Sequence, residues 1–255
     1  MIACVDHGRV RELRLARPPV NALNPALMAE LRAALAQALQ PGACGGVVLS
    51  GAPGRFSGGL DVPELLRLTR SEIRATWELF FGLLRDLACS EVPVAAALTG
   101  HSPAGGTVLA IFADYRVLAD GPFLVGLNEV QVGLSVPPVL YRALVHIVGS
   151  RQAERLAVGG LLLDPQQALR VGLVDEVVPL DEVVPRAVAW VSDLMAKPPT
   201  AMAATRRLAR AALCDAFDSV TPQSLDEIVE SWFSAETQGV MRALAAKLSK
   251  RASAP

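Results

Sequence analysis

Three short stretches of this chain combine residue types that do chemistry together. One is Gly126-Leu127-Asn128-Glu129-Val130-Gln131-Val132-Gly133, where a single carboxylate stands among Leu127, Val130, Val132, Leu134 and Val136. A carboxyl group buried in such surroundings loses hydration, so its charged form is disfavoured and its pKa rises toward the range useful for proton transfer. The same stretch also suits a surface glutamate on a strand or turn, and the residues alone leave both readings open. The other two are glycine turns, Arg55-Phe56-Ser57-Gly58-Gly59-Leu60-Asp61 and Gly100-His101-Ser102-Pro103-Ala104-Gly105-Gly106. Glycine lets a backbone N–H approach a ligand with no Cβ in the way. Two such donors aimed at one point form an oxyanion hole, in which losing one donor costs about 10²–10³ in rate. Ordinary tight turns are the alternative reading.

Other chemistries have less to build on. Neither turn is a G-x-G-x-x-G or Walker loop, so a dinucleotide or ATP phosphate site lacks support. His7, His101 and His146 offer no metal-ligand spacing. His101, beside a turn, reads as structural. Ser57 and Ser102 lack the G-x-S-x-G elbow of a serine hydrolase. Arg206, Arg207, Arg210, Lys247, Lys250 and Arg251 read as a solvated helix face, some of it available to phosphates at a subunit edge. The four cysteines, Cys4, Cys44, Cys89 and Cys214, are far apart and form no C-x-x-C pair. Buried free thiols in a reducing compartment are therefore expected, with neither a disulfide framework nor a zinc cluster.

The elements that must carry these stretches follow from periodicity. Val10–Leu15 alternates like a strand, and Asn24-Pro25 reads as an N-cap with proline at the first helical position. Leu27, Leu31, Leu35 and Leu39 then form one stripe. Gly46–Ser50 and residues 92–98 read as strands buried on both faces. Between them Ser71 can cap a helix whose Ile73, Trp77, Phe80, Leu84 and Leu87 share a face. Residues 114–119 and 123–126 are shorter strand candidates. From Pro138 onward the pattern is almost wholly helical, with pieces near 138–148, 151–158, 165–171, 181–196, 199–213, 222–233 and 237–249. Both glycine turns follow predicted strands, the place where open α/β layers bind ligands. The helix at 227–233 has an apolar face with no sheet left to cover, and packing against a second subunit is one way to bury it.

Composition agrees with a compact globular protein. Of 255 residues 52% are apolar and 19% charged, and the net charge is −1. A chain of this length buries roughly 70–75% of its unfolded surface and needs no metal or disulfide staple. The near-neutral charge and scattered basic residues argue against nucleic acid as a partner. The longest apolar stretch, 92–112, is broken by Pro93, Gly100, His101 and Pro103, which argues against a membrane span. The N-terminus shows no targeting segment, so a cytoplasmic location is expected if the source is bacterial.

Together these segments resemble the enoyl-CoA hydratase/isomerase (crotonase) family over nearly the whole chain. The resemblance rests on Pro18-Pro19-Val20-Asn21-Ala22-Leu23-Asn24, on residues 56–61, on Gly105-Gly106, on Glu129 and on Leu173-Val174-Asp175-Glu176-Val177-Val178, in the family's order and spacing. It implies a spiral of ββα units over residues 1–195 that binds acyl-CoA, and a helical trimerisation region over 196–255. A homotrimer or dimer of trimers is implied as well. By position, the backbone N–H groups of Leu60 and Gly105 would hold the thioester oxygen. Ser57, Gly58, Gly59, Asp61, Gly106, Leu127 and Val136 would contact substrate.

The carboxylates present then point to a branch. Hydratases of the family carry a glutamate two residues after the Gly-Gly pair, which here is Val108. Dienoyl-CoA isomerases similarly place an acid at that position and another eight residues beyond the shared glutamate, which here is Pro137. Glu129 alone remains, and the pattern looks like the mitochondrial-type Δ3,Δ2-enoyl-CoA isomerase branch. That branch needs no cofactor, coenzyme A being part of the substrate. Hydration, thioester hydrolysis and a non-catalytic acyl-CoA-binding subunit are the alternatives.

Overall fold

The computed structural model describes residues 1–252, with side chains as far as Ser249. The chain opens with an antiparallel pair, β1 (Ile2–His7) and β2 (Val10–Leu15), followed by α1 (Pro25–Ala38). Three repeats of a common theme follow. The first is β3 (Gly46–Ser50), β4 (Gly54–Arg55), α2 (Val62–Leu65) and α3 (Arg70–Ala88). The second is β5 (Val94–Leu98), β6 (Gly100–Pro103) and α4 (Gly105–Ile111), and the third β7 (Tyr115–Ala119), β8 (Val125–Gly126) and α5 (Pro138–Val148). Then come α6 (Ser150–Gly159), α7 (Pro165–Arg170), β9 (Glu176–Val178), α8 (Val183–Met195), α9 (Pro199–Asp215), α10 (Pro222–Trp232) and α11 (Ala235–Ala252).

Each repeat gives its first strand to a six-stranded sheet ordered β1-β2-β3-β5-β7-β9 and its second to a three-stranded sheet ordered β4-β6-β8. Apart from β1–β2 every pairing is parallel. This is the expected spiral of ββα units. Parallel strands need cover on both faces, and β5 shows how it is met. Val94, Ala96 and Leu98 face the main core while Ala95 and Ala97 face α8 through Val183, Ala187 and Val191. At the corner between β5 and β6, Gly100 has φ +150°, and a Cβ there would lie 2.0 Å from the Gly54 carbonyl carbon. Only glycine lets the chain cross from one sheet to the other at that point.

Asn24 caps α1 by accepting from the Leu27 N–H at 2.9 Å, and Leu27, Leu31 and Leu35 are fully buried, as their spacing predicts. Thr69, not Ser71, caps α3, because Thr69 and Glu72 form a reciprocal capping box. The rear of the chain is less purely helical than expected, since β9 pairs with β7 and completes the large sheet.

Three further expectations are corrected. The apolar face of α10 needs no second subunit, because Leu225, Val229 and Trp232 join the core cluster of the same chain. Arg206 and Arg210 are not a solvated face. Both reach Asp114, Arg206 at 2.8 Å and Arg210 at 2.9 Å, and Arg210 also donates to the Ala88 carbonyl. This network ties α9 to the core; the side chains of Lys250 and Arg251 lie outside the described residues. Finally, the thiols are not all free and buried: Cys4 is exposed, Cys44 half-buried, and Cys89 is disulfide-bonded to Cys214. Docking of α9 on the end of α3 brings their Cα atoms to 5.6 Å across 125 residues of sequence, a separation that spacing alone does not reveal.

Candidate active site

The segment Pro18 to Asn24 lies beside the first glycine turn like an added strand. Gly58 N–H donates to the Val20 carbonyl, Leu23 N–H to the Gly59 carbonyl, and Asp61 N–H to the Leu23 carbonyl. In such parallel pairing, Leu23 bonds to the residues on either side of Leu60, so the Leu60 N–H faces the other way. It meets no acceptor among the described residues.

The second turn supplies a similar donor. Gly105 is the first residue of α4, where N–H groups have no intrahelical partner. Its neighbour Ala104 holds φ +47° and ψ −121°, a region that L residues rarely occupy and that costs about 1–3 kcal/mol. That strained ψ sets the plane of the Ala104–Gly105 peptide and thus the direction of the Gly105 N–H. The two turns touch: a Cβ on Gly105 would lie 3.3 Å from Gly59 Cα and 3.4 Å from the Leu60 nitrogen. A side chain at 105 would crowd the space between both donors.

Leu60 and Gly105 line a cavity of about 410 Å³, and Glu129 lines it too. Glu129 opens a 3-10 turn, 129–132, closed by left-handed Gly133. The turn is pinned from two sides. Thr237 of α11 donates its hydroxyl to the Gly133 carbonyl at 2.6 Å, and Gln131 donates to the Gly160 carbonyl at 2.7 Å. Glu129 is 8% exposed, and its Oε2 has no partner among the described residues. Burial pushes its pKa up to about 7, with its own backbone N–H offsetting only part of that. Among the described residues that line the cavity, Glu129 is the one ionisable side chain. Val108 and Pro137 also line it, so two positions where a second acid could stand are apolar. A base near neutrality that shares a cavity with two unpaired donors can take a proton from carbon while the donors hold an oxygen that gains charge.

Of the seven residues expected to contact substrate, Gly58 lines this cavity. The others support it from behind or lie to one side. Ser57 is fully buried, donating to the Asn21 carbonyl and accepting from Gly59 N–H, which braces the first turn. Gly59 packs on the second turn at φ +84°. Asp61 caps α2 and pairs with Arg17 at 2.7 Å. Gly106 is pressed against Ser57, where a Cβ would come within 2.8 Å of its carbonyl oxygen. Leu127 is core, and Val136 lines a smaller neighbouring cavity. His101 is structural: its Nδ1 accepts from Leu124 N–H, and its ring meets Phe123 edge-on.

Sequence reading missed most of the apolar wall. Trp77 and Phe80 of α3 were legible as a buried stripe but not as cavity lining. Met241, Leu244 and Leu248 of α11 also line the cavity, so the C-terminal helix covers the site of its own chain. Their spacing is an amphipathic signal. What it faces is a tertiary matter. Asn128 borders the cavity too, its Oδ1 buried and unpaired.

A two-sheet ββα spiral whose cavity is lined by a buried carboxylate and two unpaired peptide donors defines the class, and comparison with known proteins agrees. The family described as Enoyl-CoA hydratase/isomerase matches residues 6–244, and the chain belongs to it. Human mitochondrial enoyl-CoA delta isomerase 1 is 37% identical over 205 residues, 80% of this chain and 68% of the relative. The probable enoyl-CoA hydratase EchA17 of Mycobacterium tuberculosis is 32% identical over 206 residues, 81% of this chain and 77% of the relative. The crystal structure of human mitochondrial delta3-delta2-enoyl-CoA isomerase superimposes with a TM-score of 0.93 at 31% identity, covering 98% of each chain. Among the described residues no helix is long and apolar enough to cross a membrane, and no cluster of three or more His, Cys, Asp or Glu could hold a metal.

Proposed function

We propose that this protein is a Δ3,Δ2-enoyl-CoA isomerase in which Glu129 moves one proton and the Leu60 and Gly105 N–H groups hold the thioester oxygen. The C2 proton of a 3-enoyl thioester is acidic because the resulting carbanion spreads over the thioester and the double bond. Glu129 takes that proton, and the released electron pair forms a dienolate whose negative charge rests on the thioester oxygen. The protonated carboxyl group then delivers the same proton to C4. The C3–C4 double bond is consumed, a C2–C3 double bond forms, and the thioester carbonyl returns. Electrons and protons balance with no metal, flavin or nicotinamide. One carboxyl group suffices when C2 and C4 present one face to it.

The observation that carries this reading is the solitary, desolvated Glu129 on a cavity wall whose other candidate acid positions are Val108 and Pro137. Likeness to the human mitochondrial isomerase supports it. The test is 3-hexenoyl-CoA with wild type and Glu129→Gln. Conjugated enoyl-thioester absorbance should rise with wild type and stay flat with the variant; equal turnover in both would overturn the role of Glu129. Likeness to EchA17 favours a second reading, hydration, in which crotonyl-CoA would lose its conjugated absorbance.

A further inference from the structure

The main cavity does not end everywhere on solid core. Three of its lining residues, Ser135, Pro137 and Ile228, also line a second cavity of about 120 Å³. Phe80 and Phe81, successive residues of α3, border the first and the second cavity respectively. The two spaces are thus neighbours with a shared wall. Its members differ in how they could yield. Pro137 caps α5, its carbonyl accepting the N–H groups of both Leu140 and Tyr141, so that segment cannot withdraw without undoing the start of the helix. Ser135 is tied to the same short connection. Ile228 sits mid-helix in α10 and is only half-buried, so its side chain can be trimmed without disturbing a backbone hydrogen bond.

Resting on the isomerase reading, we propose that Ile228 is the partition that sets the longest acyl tail the main cavity accepts, and that the second cavity receives a longer alkyl tail once the partition is reduced. The lining chemistry agrees with an alkyl ligand. Among the described residues Glu129 is the one ionisable group lining the first cavity, and Phe81, Val136, Val139 and Val220 give the second a largely apolar lining, with Ser219 and Ser224 among them. Glu227, which is exposed, lines that space as well.

Each methylene buried against such walls strengthens binding about fourfold. Affinities of saturated acyl-CoAs from butyryl- to hexadecanoyl-CoA, measured by calorimetry, should therefore climb about fourfold per methylene and then level off where the main cavity is full. In Ile228→Ala, and less so in Ile228→Val, the climb should continue over additional methylenes. In Ile228→Phe it should stop earlier, and Val220→Phe combined with Ile228→Ala should cancel the gain. A levelling point that stays put across folded Ile228 variants, or a gain that survives the Val220 plug, overturns the partition alone. Failure of wild type to bind any acyl-CoA overturns the reading of the site itself and the partition with it.

Discussion

Glu12 and Glu129 are both buried carboxylates, at 0% and 8% exposure, in parts of the molecule that treat them in opposite ways. Glu12 sits where β1, β2 and β3 meet. Its Oε1 accepts from Ser50 Oγ at 2.5 Å and Arg14 Nε at 2.9 Å, and its Oε2 lies 2.8 Å from His7 Nε2. Burial alone would raise its pKa, but hydrogen bonds from Arg14, Ser50 and His7 outweigh that and leave it below the ordinary glutamate value. Glu129 has the burial with only its own backbone N–H against it and Oε2 left unpaired, and its pKa climbs to about 7. Burial therefore does not make a base. A carboxylate becomes one when it is desolvated and left unpaired in a space that a substrate can enter. The first glutamate holds a sheet together; the second is costly to the fold and available to chemistry.

The sharpest way to break this contrast is to neutralise each carboxylate in turn. Glu129→Gln should lower kcat for 3-enoyl-CoA isomerisation by about 10²–10⁴-fold, the usual contribution of a general base. Glu12→Gln should leave kcat near wild type, and steady-state kinetics on both variants would show whether the roles are as separate as the geometry requires.

Stability should respond with opposite signs. The folded pKa of Glu129 lies above its unfolded value of 4.5, so its contribution is fully present below pH 4.5 and is lost as pH rises through about 7. A shift of that size corresponds to about 3 kcal/mol. Thermal melts of Glu129→Gln should show stabilisation of up to that order at pH 8 and little change at pH 5. The same titration should make wild-type kcat/KM rise with pH through about 7, since the base must be ionised. Glu12 runs the other way: its stabilisation is present above pH 4.5 and lost as acid protonates it below that. Glu12→Gln should cost about 2–3 kcal/mol at neutral pH and flatten the acid limb of the stability profile, read by urea unfolding across pH. Ser50→Ala, which removes one donor of three, should cost only about 1 kcal/mol in the same assay.

Much of the scaffold was legible because its signals are local. A cap such as Asn24 acts on the next three residues, and the Leu27, Leu31 and Leu35 stripe expresses a fixed helical period. The two glycine turns were legible as candidates for the same reason, since their backbone freedom is a property of the residue. The capping of α3 was misassigned because Ser71 and Thr69 both suit the role and only the reciprocal bonds to Glu72 distinguish them. Strand β9 was hidden among helices, being a short, half-buried edge with little pattern of its own.

Sequence alone determined the alternation of buried strands and helices in the first half, the two glycine turns, the lone Glu129 and the apolar residues at Val108 and Pro137, all of which depend on residue type and short-range spacing. Tertiary structure decided whether those pieces form a site. It pairs Leu23 alongside Leu60 so that one N–H is left free, forces Ala104 into a strained turn beside Gly105, and folds α11 over the cavity. It also joins Cys89 to Cys214 and draws Arg206 and Arg210 onto Asp114. The physical reason is common to all of them. Burial, pairing and desolvation depend on which distant segments meet, and a residue's own neighbours in sequence carry no record of that meeting.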